Sequence, residues 1–217
     1  MHVAITGVGS VGSALSKAAS AAGHTVSVSA TSPEKAAVVA AETGARPAAN
    51  TVDAVTDADL VVLAVPGNAV TAVADEQAPA VRGKVVADAT NPLNTTFTDL
   101  DIKETAAAQT LQRHLPDAPV VKAFNTVSAG RLANPVEQGV PLCLFQAGDD
   151  VDAKNTVSEF AASLGFEPID AGGLRTARAL EETAFLNISL NASRLVWAVR
   201  VGAARPDRLR RTDHDYY

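Results

Sequence analysis

The chain has 217 residues, a net charge of −6, and 47% apolar but only 4% aromatic residues, a composition that suits a soluble α/β protein with room for one nucleotide-binding unit and a small companion. Its arginines gather mainly near the end, as Arg205, Arg208, Arg210 and Arg211, interleaved with Asp207, Asp213 and Asp215 and followed by Tyr216 and Tyr217; this reads as a solvated tail and argues against a nucleic-acid surface. Cys143 is the only cysteine, which excludes an intrachain disulfide and a thiolate metal cage.

The first apolar run, residues 2–6, predicts a strand that feeds Gly7, Val8, Gly9, Ser10, Val11 and Gly12 and then an alanine-rich helix over 11–22. Dinucleotide pyrophosphate needs this series of elements: Gly7 allows a tight turn, Gly9 lets the phosphates approach backbone, and Gly12 lets the helix pack closely on the strand. The anion then meets free N–H groups at the helix start. A second strand is expected at 25–29. An Asp or Glu at its end would bind the ribose hydroxyls of NAD. None stands there; Thr31, Ser32 and Lys35 do, which favours NADP, with these residues around the 2′-phosphate. Ser32 has a second role open to it, as the N-cap of a helix over 33–43 with Pro33 at the first position.

A short third strand at Arg46–Ala48 and a helical turn over 51–55 precede strands at 60–65 and 84–88, separated by a helix over 67–78. Ligands in open α/β sheets bind beyond the carboxyl ends of strands. Two loops fall there: Val65, Pro66, Gly67 and Asn68, suited to the cofactor's backbone, and the segment from Asp88 to Asn94. In the second, Asn91 and Asn94 can hydrogen-bond a ring or ribose, or Asn91 can simply open a turn before Pro92. Further strands are expected at 119–124, 140–146 and 167–170, with helices at 103–115, 151–164 and from about 175 to 203. Cys143 lies in the 140–146 run and reads as a buried structural cysteine. Lys122 follows Val120 and Val121, where a snorkelling side chain is one reading. Asn125 and Thr126 sit at that strand's end, either in a site or capping a helix that begins near Ser128.

The alternation of strands and helices predicts an α/β fold, a Rossmann-type doubly wound and mostly parallel sheet with a small C-terminal α/β portion. The expected division is an NADP-binding domain over 1–147 and a C-terminal portion over 148–217, packed on the first. Its last helix carries Leu180, Ala184, Leu186, Ile188, Leu190, Leu195, Val196 and Val199 and is apolar on more than one side, which suggests a homodimer. The chain enters a strand at once with no basic segment before an apolar core, and no apolar run approaches bilayer length, so a cytoplasmic protein with no membrane partner is expected.

Four pieces resemble the coenzyme F420-dependent NADP oxidoreductases and their relatives: the glycine loop at 7–12, Leu63-Ala64-Val65-Pro66, Val121-Lys122-Ala123-Phe124-Asn125-Thr126, and Ala147–Asp150 leading to Leu164–Gly172. The third piece, with Lys122-Ala123-Phe124-Asn125-Thr126, is also similar to the oxidoreductase domain of six-transmembrane metalloreductases. The resemblance implies a homodimer that stacks a deazaflavin, coenzyme F420, or a flavin such as FMN or FAD, against nicotinamide. It implies that Gly7, Val8, Gly9, Ser10 and Val11 hold the pyrophosphate and that Thr31, Ser32 and Lys35 hold the 2′-phosphate. Val65 and Pro66 then line the nucleotide, and Ala123 and Asn125 face the nicotinamide.

Absences narrow the chemistry. The only tyrosines are Tyr216 and Tyr217, and no lysine follows Lys154, so neither a Tyr-x-x-x-Lys pair nor a helix-borne lysine can serve as proton carrier. His2, His24, His114 and His214 fall at element ends or in the tail, in surface or capping roles, and no metal site is expected. Hydride transfer between two stacked cofactors suits such a site, with Asn125 and Asn91 as positioning groups. The alternatives are an imine or carbonyl reductase on the same scaffold and a non-catalytic NADP-binding sensor.

Overall fold

The computed structural model describes residues 1–96, 98–101 and 105–192. The arginine-rich tail, His214, both tyrosines and the expected helical positions Leu195, Val196 and Val199 lie outside the described residues.

The elements follow in order as β1 (His2–Thr6), α1 (Ser10–Ala21), β2 (Thr25–Ser29), α2 (Pro33–Thr43), β3 (Arg46–Pro47), α3 (Thr51–Val55), β4 (Leu60–Leu63), α4 (Val70–Gln77), β5 (Val85–Asp88), α5 (Ala107–His114), β6 (Val120–Ala123), α6 (Ala129–Leu132), β7 (Val136–Glu137), β8 (Val140–Pro141), β9 (Cys143–Gly148), α7 (Val151–Ser163), β10 (Glu167–Asp170) and α8 (Ala177–Ala192). Short 3₁₀ turns at Gly67–Ala69 and Leu174–Thr176 lead into α4 and α8. Among the described residues eight strands form one sheet in the order β10-β9-β6-β5-β4-β1-β2-β3. Every neighbour pair in it is parallel except β6 with β9, which gives the doubly wound Rossmann-type α/β fold.

Strand alternation builds two cores. Successive side chains point to opposite faces of a strand, so Val3, Ile5, Leu60 and Val62 join α1, α2 and α7 on one face, while Ala4, Val61 and Leu63 join α3, α4, α5 and α8 on the other. Strands covered on both sides must be apolar throughout, and β4 reads Leu-Val-Val-Leu with every residue buried. α2 starts as its sequence dictates: the Ser32 hydroxyl accepts from Lys35 N, Pro33 occupies the first turn, and Gly44 closes the helix in the left-handed region.

Four expectations change. The run over 140–146 is two strands rather than one, because Gln138 and Gly139 turn with positive φ and β8 folds back antiparallel onto β7. Leu142 N then donates to Pro135 O, and only from Cys143 does the chain enter the main sheet. Cys143 is accordingly half-buried rather than buried, its Sγ 4.0 Å from Glu167 Oε2. The helix expected over 103–115 spans only Ala107–His114, and residues 102–104 lie outside the described residues. Asn125 and Thr126 do not cap α6; its N-cap is Ser128, without a side-chain hydrogen bond.

The three described histidines hold joints between elements. The His2 imidazole bridges Asp57 O and Ser27 Oγ at 2.9 and 2.7 Å, and His114 Nδ1 meets Asp75 Oδ1 at 2.6 Å. His24 Nε2 lies 2.7 Å from Ser163 Oγ, and its ring packs edge-on against Phe160. Partial burial, and then the N-terminal ammonium, lower the His24 pKa from its ordinary 6.5. The folded state therefore binds this proton less readily than the unfolded chain does, and stability present above about pH 6.5 is lost as pH falls through the folded value. Replacing His24 by Gln is expected to flatten the decline of melting temperature between about pH 7 and pH 5; an unchanged slope in thermal melts would refute this.

Candidate functional site

The loops at the carboxyl ends of five parallel strands stand side by side in the spatial order β2, β1, β4, β5, β6. Backbone bonds hold them in step: Gly7 N donates to Ser29 O, Ala64 N to Thr6 O, and Ala89 N to Leu63 O, at 2.9, 2.8 and 3.0 Å.

The glycines of the first loop divide by what surrounds them. Gly7 has φ +101, and a Cβ on it would lie 2.5 Å from Ala64 O; a Cβ on Gly12 would lie 1.8 Å from Gly7 O. Both are closed by the protein's own backbone. Gly9, the exposed residue before α1, has nothing within 4 Å of where its Cβ would be. α1 begins there with no side-chain cap and no acidic residue in its first turn, so its leading N–H groups are left for an anion. Ser13 Oγ ties the loop to Val8 O at 2.9 Å, Val8 and Val11 are half-buried against the core, and Ser10 is exposed. This cradle fits a pyrophosphate.

At the end of β2, Thr31 and Lys35 are exposed and Ser32 half-buried. Ser32 caps α2, and its hydroxyl also meets the Glu34 carboxylate, whose pKa is lowered first by its own backbone N–H and then by Ser32. An incoming phosphate therefore finds one cation, two hydroxyls and a competing carboxylate.

Beyond β4, Val65 is half-buried and Pro66 and Asn68 are exposed. Gly67 brings this loop against the next: its Cβ would lie 2.7 Å from Asn91 O. Asn91 and Asn125 pair reciprocally, Asn91 Nδ2 donating to Asn125 O and Asn125 Nδ2 to Asn91 Oδ1, both at 3.1 Å. Asn125 Nδ2 also donates to Leu180 O of α8 at 3.1 Å. Asn125 Oδ1 is buried and has no partner among the described residues. Its position is set by Phe124, which turns the chain at φ 65, a conformation unfavourable for a bulky residue, and is held there by edge-on packing against Phe160 and Phe166. Ala123 is wholly buried in the core, so its side chain does not line the cleft. Asn94 is engaged within its own loop, accepting from Thr98 N and Thr96 Oγ1. A cavity of about 660 Å³ opens beside Asn91, lined among others by Gly67, Thr90, Pro92, Thr105, Leu111 and Arg113.

Three charged residues under this floor had no place in the sequence-based site. Lys122 does not snorkel; it is 0% exposed, with Nζ 3.0 Å from Asp88 Oδ2, 2.6 Å from Thr90 O and 3.4 Å from Glu181 Oε1. The signal was present in Val85-Val86-Ala87-Asp88 and Val120-Val121-Lys122-Ala123. A charge inside a run that must be buried requires a partner, and parallel neighbours supply one.

Strand-end loops of a Rossmann sheet, a glycine cradle and no carboxylate at the end of β2 itself, where Ala30 and Thr31 stand, define a dinucleotide-binding oxidoreductase scaffold of the NADP type. Residues 2–92, from β1 to the loop after β5, match the family of NADP oxidoreductases described as coenzyme F420-dependent. The chain is 34% identical over 154 residues to the F420-dependent NADP reductase of Methanothermobacter marburgensis, covering 66% of this chain and 67% of that one. A solved structure from Arthrobacter sp. FB24, provisionally assigned as an F420-dependent NADP-reductase, superposes with a TM-score of 0.79 at 29% identity, over 88% of this chain and 93% of that one. Rat metalloreductase STEAP3 is 39% identical over 99 residues, which is 46% of this chain but 20% of that protein. The chain belongs to the F420-dependent NADP oxidoreductase family and is an NADP-dependent oxidoreductase. No helix among the described residues is long and apolar enough to cross a membrane.

The two kinds of glycine separate folding from binding. Gly12→Ala is expected to lower the melting temperature, since a methyl group 1.8 Å from a carbonyl oxygen forces α1 off the sheet at a cost of about 1–3 kcal/mol. Gly9→Val is expected to leave the melting temperature nearly unchanged and abolish NADPH binding in a titration. A Gly9→Val protein that binds NADPH normally would show the loop to be only a turn.

Proposed function

We propose that this protein transfers a hydride between NADP(H) and a deazaflavin of the coenzyme F420 type, with FMN or FAD as the weaker acceptor candidates. The observation that carries the reading is the open cradle at Gly9, closed on both sides at Gly7 and Gly12, in a chain of this family.

In this reading Gly7 to Gly12 receive the pyrophosphate, Thr31, Ser32 and Lys35 the 2′-phosphate, and Val65, Pro66 and Asn68 the nucleotide's length. The nicotinamide ends over Asn91 and Asn125, with the buried Ala123 supporting the floor from beneath. The bound nucleotide supplies a two-electron hydride from its reduced ring. The chain's own residues orient and exclude water: Asn125 Oδ1 offers an unused acceptor, the Asn91–Asn125 pair fixes the floor, and Leu174 and Leu180, both buried on the α8 side, furnish a dry wall. Holding donor and acceptor carbons at near-attack distance supplies the rate enhancement, and no acid on the protein is required for the hydride itself. His2, His24 and His114 are engaged elsewhere, which supports this reading over an imine or carbonyl reductase.

Residues 1–147 would form the nucleotide-binding unit and 148–217 a portion that covers the acceptor side. We place the protein in the cytoplasm as a homodimer built on the apolar last helix.

Anaerobic NADPH oxidation run in parallel with the deazaflavin coenzyme, FMN, FAD and a cyclic imine tests the proposal. Turnover is expected with the deazaflavin; turnover with the imine alone would make the protein an imine reductase, and tight binding without any turnover would make it a sensor. NADPH is expected to bind more tightly than NADH, and Lys35→Ala to narrow the gap by about tenfold, the worth of about 1–2 kcal/mol in a charged contact; equal affinity of the unmodified protein for both nucleotides would refute the 2′-phosphate assignment. Asn125→Leu keeps the bulk and removes the polar group. It is expected to reduce turnover by more than about tenfold while weakening NADPH far less, and unchanged turnover in steady-state assays would remove Asn125 from the site.

A further inference from the structure

We propose that Lys122 is a positioning residue for the nicotinamide half of the cofactor, acting through a buried charge lock that ties α8 to the strand ends. The inference rests on the reading that the nicotinamide lies over Asn91 and Asn125.

The lock is complete and dry. Lys122, Asp88 and Glu181 are 0%, 1% and 0% exposed. The ammonium has three protons, and it faces three acceptors: Asp88 Oδ2, Thr90 O and Glu181 Oε1. The carboxylates use their other positions fully. Asp88 Oδ1 accepts from Thr90 N and Thr90 Oγ1 at 2.9 and 2.7 Å, and Glu181 accepts from Ala107 N and Ala108 N at the start of α5, each at 3.1 Å. Two carboxylates against one ammonium leave a net negative charge, and the N-terminal end of α5 lies against it with the favourable sign of its dipole.

What the lock joins gives it a role beyond holding the sheet. Lys122 and Asn125 leave the same strand end, and they grip adjacent residues of α8: Lys122 the Glu181 carboxylate, Asn125 the Leu180 carbonyl. On the other side they grip the exit of β5, through Asp88, Thr90 and Asn91. The single buried side-chain polar atom of this assembly without a partner among the described residues is Asn125 Oδ1. Burying an acceptor unpaired is costly, and the lock holds it in a fixed place where a donor on the nicotinamide half, such as its carboxamide N–H, can complete the set. A structure that needed Lys122 only for stability would gain nothing by leaving that atom open.

The test compares NADPH with adenosine 2′,5′-bisphosphate, which keeps the adenosine and 2′-phosphate and lacks the nicotinamide, in calorimetric titrations of the wild type, Lys122→Met and Glu181→Gln. Both variants are expected to bind the bisphosphate within about twofold of the wild type. NADPH is expected to weaken about tenfold or more in Lys122→Met and about threefold in Glu181→Gln, with loss of the enhanced emission of the bound reduced nicotinamide in both. If Lys122→Met does not fold, the same affinity ratio and emission in Glu181→Gln decide. A variant that melts earlier yet keeps both the wild-type ratio and the wild-type emission overturns the proposal and leaves Lys122 a structural residue. A wild-type protein that binds the bisphosphate as tightly as NADPH, with no change in nicotinamide emission, overturns the placement of the ring and the proposal with it; one that binds neither ligand fails the NADP assignment itself.

Discussion

One ammonium inside the sheet sets the conditions under which the rest of the cleft can exist. Taking a lysine and two carboxylates out of water costs several kcal/mol per ion, and the interior returns that only where geometry is good and every remaining hydrogen-bonding position is filled. Here all are filled: Lys122 by three oxygens, Asp88 by Thr90, and Glu181 by the first amides of α5. Removing any one member would leave the others charged or unpaired, so β5, β6, α5 and α8 form one unit rather than four adjacent elements. The two asparagines of the floor are built on that unit.

The fold was legible from the chain because its constraints are local. Parallel strands buried on both faces must be apolar without alternation, and Val3-Ala4-Ile5 of β1 and the whole of β4 read that way; Ser32, Pro33 and Gly44 bracket α2 with the residue types that helix ends require. Legibility failed where a boundary depends on partners distant in sequence. Residues 140–146 carry one apolar run, yet Gln138 and Gly139 turn it back onto β7 and only its second half finds β6 and β10. α5 begins at Ala107, where no capping side chain precedes it in sequence; its cap is a carboxylate seventy-four residues away, Glu181.

The same distinction divides the site. Gly7, Gly9 and Gly12 announce themselves because the phosphate recognition proposed for them is a task of backbone, and backbone access leaves a glycine signature within one short segment. The structure adds what the spacing alone does not distinguish, that Gly7 and Gly12 are required by the protein's own packing and Gly9 by open space. For Lys122 a snorkelling strand-end side chain is one reading open in sequence, because its acceptors come from two segments distant from it, at residues 88 and 90 and at residue 181. For Asn125 and Thr126 a site and a cap are both open in sequence, and Phe124, in the left-handed region, directs Asn125 toward β5 and α8.

The cleft therefore joins two constructions of different stiffness. At the β2 end the groups proposed to distinguish one nucleotide from another, Thr31 and Lys35, are exposed side chains. At the β5 and β6 end the polar groups are buried, mutually bonded and tied to α8. Exposed charged contacts are screened and adjustable, whereas a buried network moves as one body or fails. In the proposed reading, cofactor preference can thus drift at one end while ring placement at the other stays constant. Proximity catalysis needs that constancy, because misplacing the reacting carbons by about 1 Å can cost about a hundredfold in rate.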